Sequence, residues 1–245
     1  MLLIILRHDV DDAFSIRTLF SKGLNYLRMK VGRSFPVWKS FGYLEDARCL
    51  FEREKSMGIH ASWFFRTVTK PPRDFRRELL GEEHEIGFHA DRIEDEVYFE
   101  ENLKYVSEDL KPFGFTKHGS RGLHTPLGVG LGEVYNSELC IKRAKDHGMI
   151  YFCGNDVIPT DVFRVVEGVV FFPSVFWVFP GYMDDGKFTV DWLIDYQRDH
   201  DVVVLIHPGE TTELFPRVAE KVDKIYDRCE EIVSFKEYLQ SKKLI

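Results

Sequence analysis

Ionisable side chains crowd at the start of the chain. Arg7, His8, Asp9, Asp11 and Asp12 follow directly on the apolar run Leu2–Leu6. Three carboxylates so close together repel one another unless a cation, a proton or a nearby base neutralises them. Far along the chain, His89, His118 and His207 each close a short strand-like stretch. One carboxylate with one or two imidazoles suits zinc or a similar divalent ion that keeps a position open for water. Asp9 and Asp11 stand two apart on an extended segment and so face the same way. One of them can ligate a metal while the other takes a proton from water.

The elements that must position these groups follow from the hydrophobic pattern. Leu2–Leu6 has no polar break and is bounded by charge, which reads as a strand buried on both faces of a parallel sheet or barrel. Such strands place chemistry at their carboxyl ends. Helices are expected over Ala13–Lys30 and Tyr43–Met57, the second on the spacing of Leu44, Ala47, Leu50 and Phe51, with Gly58 as its C-cap. Strands are expected at Ile59–Arg66, His84–His89, Gly114–His118, Ile150–Cys153 and Val202–His207, with one or two more over Val162–Phe172. Further helices are expected at Glu96–Leu110, Ser137–His147 (capped by Ser137), Thr189–Arg198 and Thr211–Cys229, and a short one through Leu80. A strand at Ile232–Phe235 and a helix at Lys236–Lys243 close the chain. The alternation suits right-handed βαβ crossovers, so residues 1–245 read as a single α/β domain, a parallel barrel of about seven strands. His8, His89, His118 and His207 then share one rim. His60, His84, His147 and His200 read as structural, and Phe171, Phe172, Phe176 and Trp177 as core.

Composition narrows the function. With 44% hydrophobic and 30% charged residues the chain can bury a sizeable core. A net charge of −7 argues against a nucleic-acid partner. The four cysteines, Cys49, Cys140, Cys153 and Cys229, form no CxxC pair, so reduced thiols are expected and a thiolate metal site is not. Gly128–Gly132, GVGLG, lacks the preceding strand of a dinucleotide site. The apolar start has no basic segment before it, and Val169–Phe179 is broken by Pro173 and too short to span a bilayer. The expectation is a cytoplasmic protein without membrane insertion, acting on a small molecule or glycan; nothing in the sequence sets its oligomeric state.

Four segments in order, RHDVD, GIHASWFF, HEIGFH and IHPGE, resemble the polysaccharide deacetylase (NodB-homology) family, in a divergent branch opening with HDVD. The resemblance implies a distorted (β/α)7 barrel. It implies Asp9 as general base, Asp11 and His89 as metal ligands and His207 as general acid. Ile93 stands where the family has its second histidine ligand, so a third ligand must come from Asp91, His118, His124 or water. SRGLHTP at Ser120–Pro126 matches the arginine-bearing motif, with Arg121 tuning the base, and Asp191 in VDW is the aspartate that would orient the acid. The implied activity is zinc-type metal-dependent hydrolysis of a non-peptide carbon–nitrogen bond, foremost N-deacetylation of an amino sugar or glycan precursor. Two alternatives stay open: a carbohydrate-binding or regulatory homologue without catalysis, and a hydrolase of a small amide, like allantoinase or a cyclic imidase.

Overall fold

A computed structural model of the chain describes residues 2–15, 19–108, 110–119, 136–156, 161–179, 189–212, 214–229 and 231–245. The strands are β1 (Ile4–Val10), β2 (Ser62–Phe65), β3 (Glu85–Ala90), β4 (Gly114–Lys117), β5 (Tyr151–Asp156), β6 (Arg164–Val166), β7 (Val169–Ser174), β8 (Phe176–Trp177), β9 (Val202–Ile206) and β10 (Ile232–Val233). They form one sheet in the order β6-β7-β5-β4-β3-β2-β1-β9-β8, with β10 beside β1. Every pairing is parallel except the β6–β7 hairpin. That hairpin turns at Glu167 and Gly168, both left-handed, as a two-residue turn requires. β1, β2, β3, β4, β5, β7 and β9 are the barrel staves the alternation predicted; β6, β8 and β10 are short additions. Among the described residues no ladder joins β7 to β8, so the seam of the distorted barrel lies there.

The helices are α1 (Leu19–Val31), α2 (Glu45–Met57), α3 (Arg73–Gly81), α4 (Glu96–Ser107), α5 (Ser137–Asp146), α6 (Val190–Tyr196), α7 (Pro216–Arg228) and α8 (Phe235–Ser241). None among the described residues is long and apolar enough to cross a membrane. Helix starts differ from expectation in three places. α1 is described from Leu19, and Ala13 and Phe14 lie outside it, engaged by Leu44 and Tyr43. Asn136, not Ser137, caps α5, its side chain accepting from the Leu139 N–H at 3.0 Å. Pro208–Thr211 forms a separate 3₁₀ turn, and α7 begins only at Pro216, where the missing N–H costs nothing. Gly58 ends α2 in the left-handed conformation, as expected of a C-cap.

Side chains on β1 alternate between two cores. Leu3 and Ile5 point into the barrel, where they join Phe64, Tyr151, Phe172 and Leu205 above a floor of Phe235, Tyr238 and Leu239 from α8. Ile4, Leu6 and Val10 point outward into the larger core beneath the helices. His8 follows the outward set. It is fully buried, with Nε2 2.6 Å from Glu54 Oε1 on α2, so it leaves the rim where the strand ending had placed it. The interior is crowded enough that glycine is needed at two positions: a Cβ on Gly87 would overlap the Phe64 ring, and one on Gly114 the Tyr151 ring. Phe171, Phe172 and Phe176 are core, as read from the sequence. His84 is structural, its Nδ1 accepting from the Ala61 N–H and Trp63 Nε1–H at 3.0 and 3.2 Å.

Candidate active site

β1 places Arg7 and Asp9 on its inward face and ends just before Asp11. β3 and β4 pair in register His89 to Thr116, and the His118 N–H extends the ladder by donating to Ala90 O at 2.8 Å. His89, Thr116 and His118 therefore arrive beside the end of β1. β9 delivers His207 on the other side of β1.

The distances are short. Asp11 Oδ1 lies 2.9 Å from His118 Nδ1 and 3.2 Å from His89 Nε2, and the two ring nitrogens are 3.3 Å apart. Asp9 Oδ2 is 3.6 Å from His89 Nε2, and Asp11 Oδ2 is 3.5 Å from His207 Nε2. Asp9, Asp11, His89, His118 and His207 thus meet at one mouth.

Partners behind these groups decide their protonation. Thr116 Oγ1 donates to Asp9 Oδ1 at 3.4 Å and accepts from His89 Nδ1 at 2.6 Å. That relay leaves His89 Nε2 as a bare lone pair facing Asp11 and His118. Burial lowers the His89 pKa, outweighing the opposing pull of Asp9 and Asp11, so the ring is held neutral. Burial raises the carboxyl of Asp11, but its contacts with the rings of His118, His89 and His207 outweigh it and hold it well below the usual carboxylate range. Asp9 is likewise depressed against the effect of burial, chiefly by the charge of Arg7. His207 behaves oppositely: burial pulls its pKa down, yet Glu210 and Asp11 raise it to about 9. Its Nδ1 sits 3.2 Å from Glu210 Oε2 and 3.0 Å from Trp177 Nε1.

Asp11, His89 and His118 offer three ligand atoms, all within 4.8 Å of one another. Two imidazole nitrogens and one carboxylate oxygen form a donor set that fits zinc or a similar divalent ion. Ile93 is fully buried in the outer core, and the second imidazole beside Asp11 and His89 is that of His118. Asp91 does not join the set. Its Oδ1 accepts from Arg66 Nε and Nη2 at 2.9 and 2.7 Å, and a carboxylate so engaged is turned to the cation. Asp191 does not orient the acid; it faces Lys224 and Arg228, both at 2.8 Å, and Glu210 stands at His207 instead. Arg121 and His124 lie outside the described residues.

Four site residues escaped the sequence reading. Nothing in the sequence gives Arg7 a role or marks Thr116, Trp177 reads as core, and Glu210 stands in IHPGE without an assigned part. Only Glu210 left a signal, three residues after His207, where a turn brings the two together.

No family model matches the chain, and no curated protein matches it in sequence. Solved structures do match in shape. A Mycobacterium smegmatis protein assigned as a polysaccharide deacetylase superposes with a TM-score of 0.58 at 15% identity, over 100% of this chain and 92% of its own. The chain shares that protein's fold. A 4-alpha-glucanotransferase from Thermococcus litoralis gives 0.54 at 15% identity, over 98% of this chain but 38% of its own. The deacetylase-type barrel is therefore the observed architecture. As the second match is a transferase, the barrel by itself selects no reaction.

Proposed function

We propose that this chain is a metal-dependent amide hydrolase that removes an N-acyl group, foremost acetyl from an amino sugar in a glycan or glycan precursor. The observation that carries this reading is the convergence of a buried, ionised carboxylate, a two-histidine, one-carboxylate donor set and a protonated imidazole at one mouth. Asp11, His89 and His118 would hold the metal. When bound there, a divalent ion supplies Lewis-acid polarisation of the amide carbonyl and acidifies water. Asp9, ionised at neutral pH, accepts the proton of the attacking water. His207, kept protonated by Glu210, gives its Nε2 proton to the departing amine, which is otherwise a poor leaving group. Thr116 fixes the His89 tautomer, and the Trp177 ring packs edge-on against that of His207.

The binding-only alternative rests on Ile93, which cannot ligate a metal. The position of His118 supports the enzyme over it, because the donor set no longer lacks a third member. Acetate release from N-acetylated sugars, assayed with zinc and with a chelator, tests the proposal. Activity should require the metal and disappear in Asp11→Ala and in His89→Ala. Full activity in both variants would refute the assignment, and turnover of small cyclic amides alone would move the substrate away from sugars.

A further inference from the structure

The segment between β1 and α2 departs from the plain barrel plan. It leaves β1 just beyond Asp11 and returns where the Leu44 N–H donates to Ala13 O at 2.7 Å and Phe14 bridges Tyr43. Both anchors stand on the rim that holds the candidate site. α1 is fastened by Arg28, which donates to Val68 O just after β2 and to Phe35 O at 2.6 Å, and by Asn25, which exchanges two bonds with Phe14 at 2.7 and 2.8 Å. Within α1, the buried residues are Leu24, Asn25 and Arg28. Its apolar side chains otherwise point outward.

Phe20 is 60% exposed, Leu27 46% and Val31 47%. At i, i+7 and i+11 they line one stripe of the helix. The stripe continues onto the following turns: the Phe20 ring lies 5.6 Å from that of Phe41, which lies 5.3 Å from Trp38. Trp38 and Phe41 are exposed as well. A continuous apolar surface of this kind marks a contact with something. The charge around it is one-sided. Residues 13–44 contain six of the chain's 33 Lys and Arg and none of its 40 Asp and Glu, although the whole chain carries −7. Lys22, Lys30, Arg33 and Lys39 are all exposed. Acids of other elements flank the patch: Asp74 at 2.7 Å from Lys39, Glu101 at 3.9 Å from Arg33, and Glu45 at the start of α2 beside Gly42.

We propose that this aromatic and basic insertion docks the protein, peripherally, on an anionic phospholipid surface, with α1 lying in the headgroup region. Exposed Phe, Leu and Trp interleaved with Lys, on a segment that itself carries no acid, is the pattern of an interfacial helix. A second copy of the chain fits less well. A two-fold contact through this patch would set its lysines against their own copies, whereas anionic headgroups neutralise all of them. The proposal concerns binding alone and stands apart from the chemistry at the mouth.

Sedimentation of the whole protein with vesicles tests it, using phosphatidylcholine alone and phosphatidylcholine with added phosphatidylserine. Binding is expected only to the second, and should weaken as salt rises. Lys22→Ser with Lys30→Ser should bind roughly 30-fold more weakly, and Phe20→Ser with Phe41→Ser should lose binding. All four positions are exposed, so unfolding curves should match the parent. Absence of binding to the anionic vesicles, or unchanged binding in both double variants, overturns the proposal. So does a dimer, seen by light scattering, that the Phe20→Ser, Phe41→Ser variant abolishes.

Discussion

Both carboxylate oxygens of Asp9 accept from the guanidinium of Arg7, two residues earlier on the same strand, with Nε to Oδ1 at 2.9 Å and Nη2 to Oδ2 at 2.5 Å. The remaining donors of Arg7 reach Gly154 O at 2.6 Å and Asn155 Oδ1 at 2.8 Å on β5. Arg7 is completely buried inside the barrel. One side chain therefore ties the proposed base to the opposite wall and keeps it ionised.

Removing that cation should harm both stability and reaction. Arg7→Met leaves Asp9 buried without its partner, and losing one member of a buried pair costs about 3–5 kcal/mol. Denaturant unfolding reads this cost. The Asp9 pKa should also rise, so the acid limb of kcat/KM moves to higher pH in Arg7→Met. A limb that does not move would detach Asp9 from the base role.

The third ligand can be tested by affinity alone. His118→Ala should weaken zinc binding by more than roughly 100-fold in a competition assay with a coloured chelator, and Thr116→Val by roughly 10–100-fold, since outer partners orient the ligand. Asp91→Asn should bind zinc like the parent, because Arg66 already occupies that carboxylate. Equal losses in Asp91→Asn and His118→Ala would count against the proposed set.

Glu210 should set the alkaline limb. A general acid must be protonated, so activity falls as pH climbs through the pKa of His207, raised to about 9. Glu210→Gln removes a carboxylate that raises it, and the limb should shift down by roughly one pH unit. The same substitution at Asp191, which faces solvent and two cations, should leave the limb in place.

His84 should make the fold sensitive to mild acid. Burial holds its pKa down at about 4, against the opposing charge of Glu54. The unfolded chain binds this proton first, from about pH 6.5 downward, whereas the native ring resists it. Its contribution is complete above the unfolded value and is lost as pH falls from there towards 4, a difference on the order of 3 kcal/mol. Urea unfolding between pH 7 and 5 should show stability falling more steeply in the parent than in His84→Gln. Identical slopes would remove His84 as the cause.

The sequence by itself determined the barrel and the rim. An unbroken apolar run ending in charge reads as a buried strand with its chemistry at one end, and the alternation of strand and helix brings those ends to one rim. The placing of Asp9, Asp11, His89, His118 and His207 on one rim was legible for that reason, while the roles given to them came from the family resemblance. Partner choice was decided only in three dimensions. His118 and Asp11 are 107 positions apart and meet because β4 runs in register beside β3. Asp91, one residue past β3, is claimed by Arg66, and His8, one residue from Asp9, turns away to Glu54. Adjacent residues on a strand face opposite sides, but which side is the barrel interior, and which neighbour waits there, depends on contacts between distant segments that local spacing does not encode.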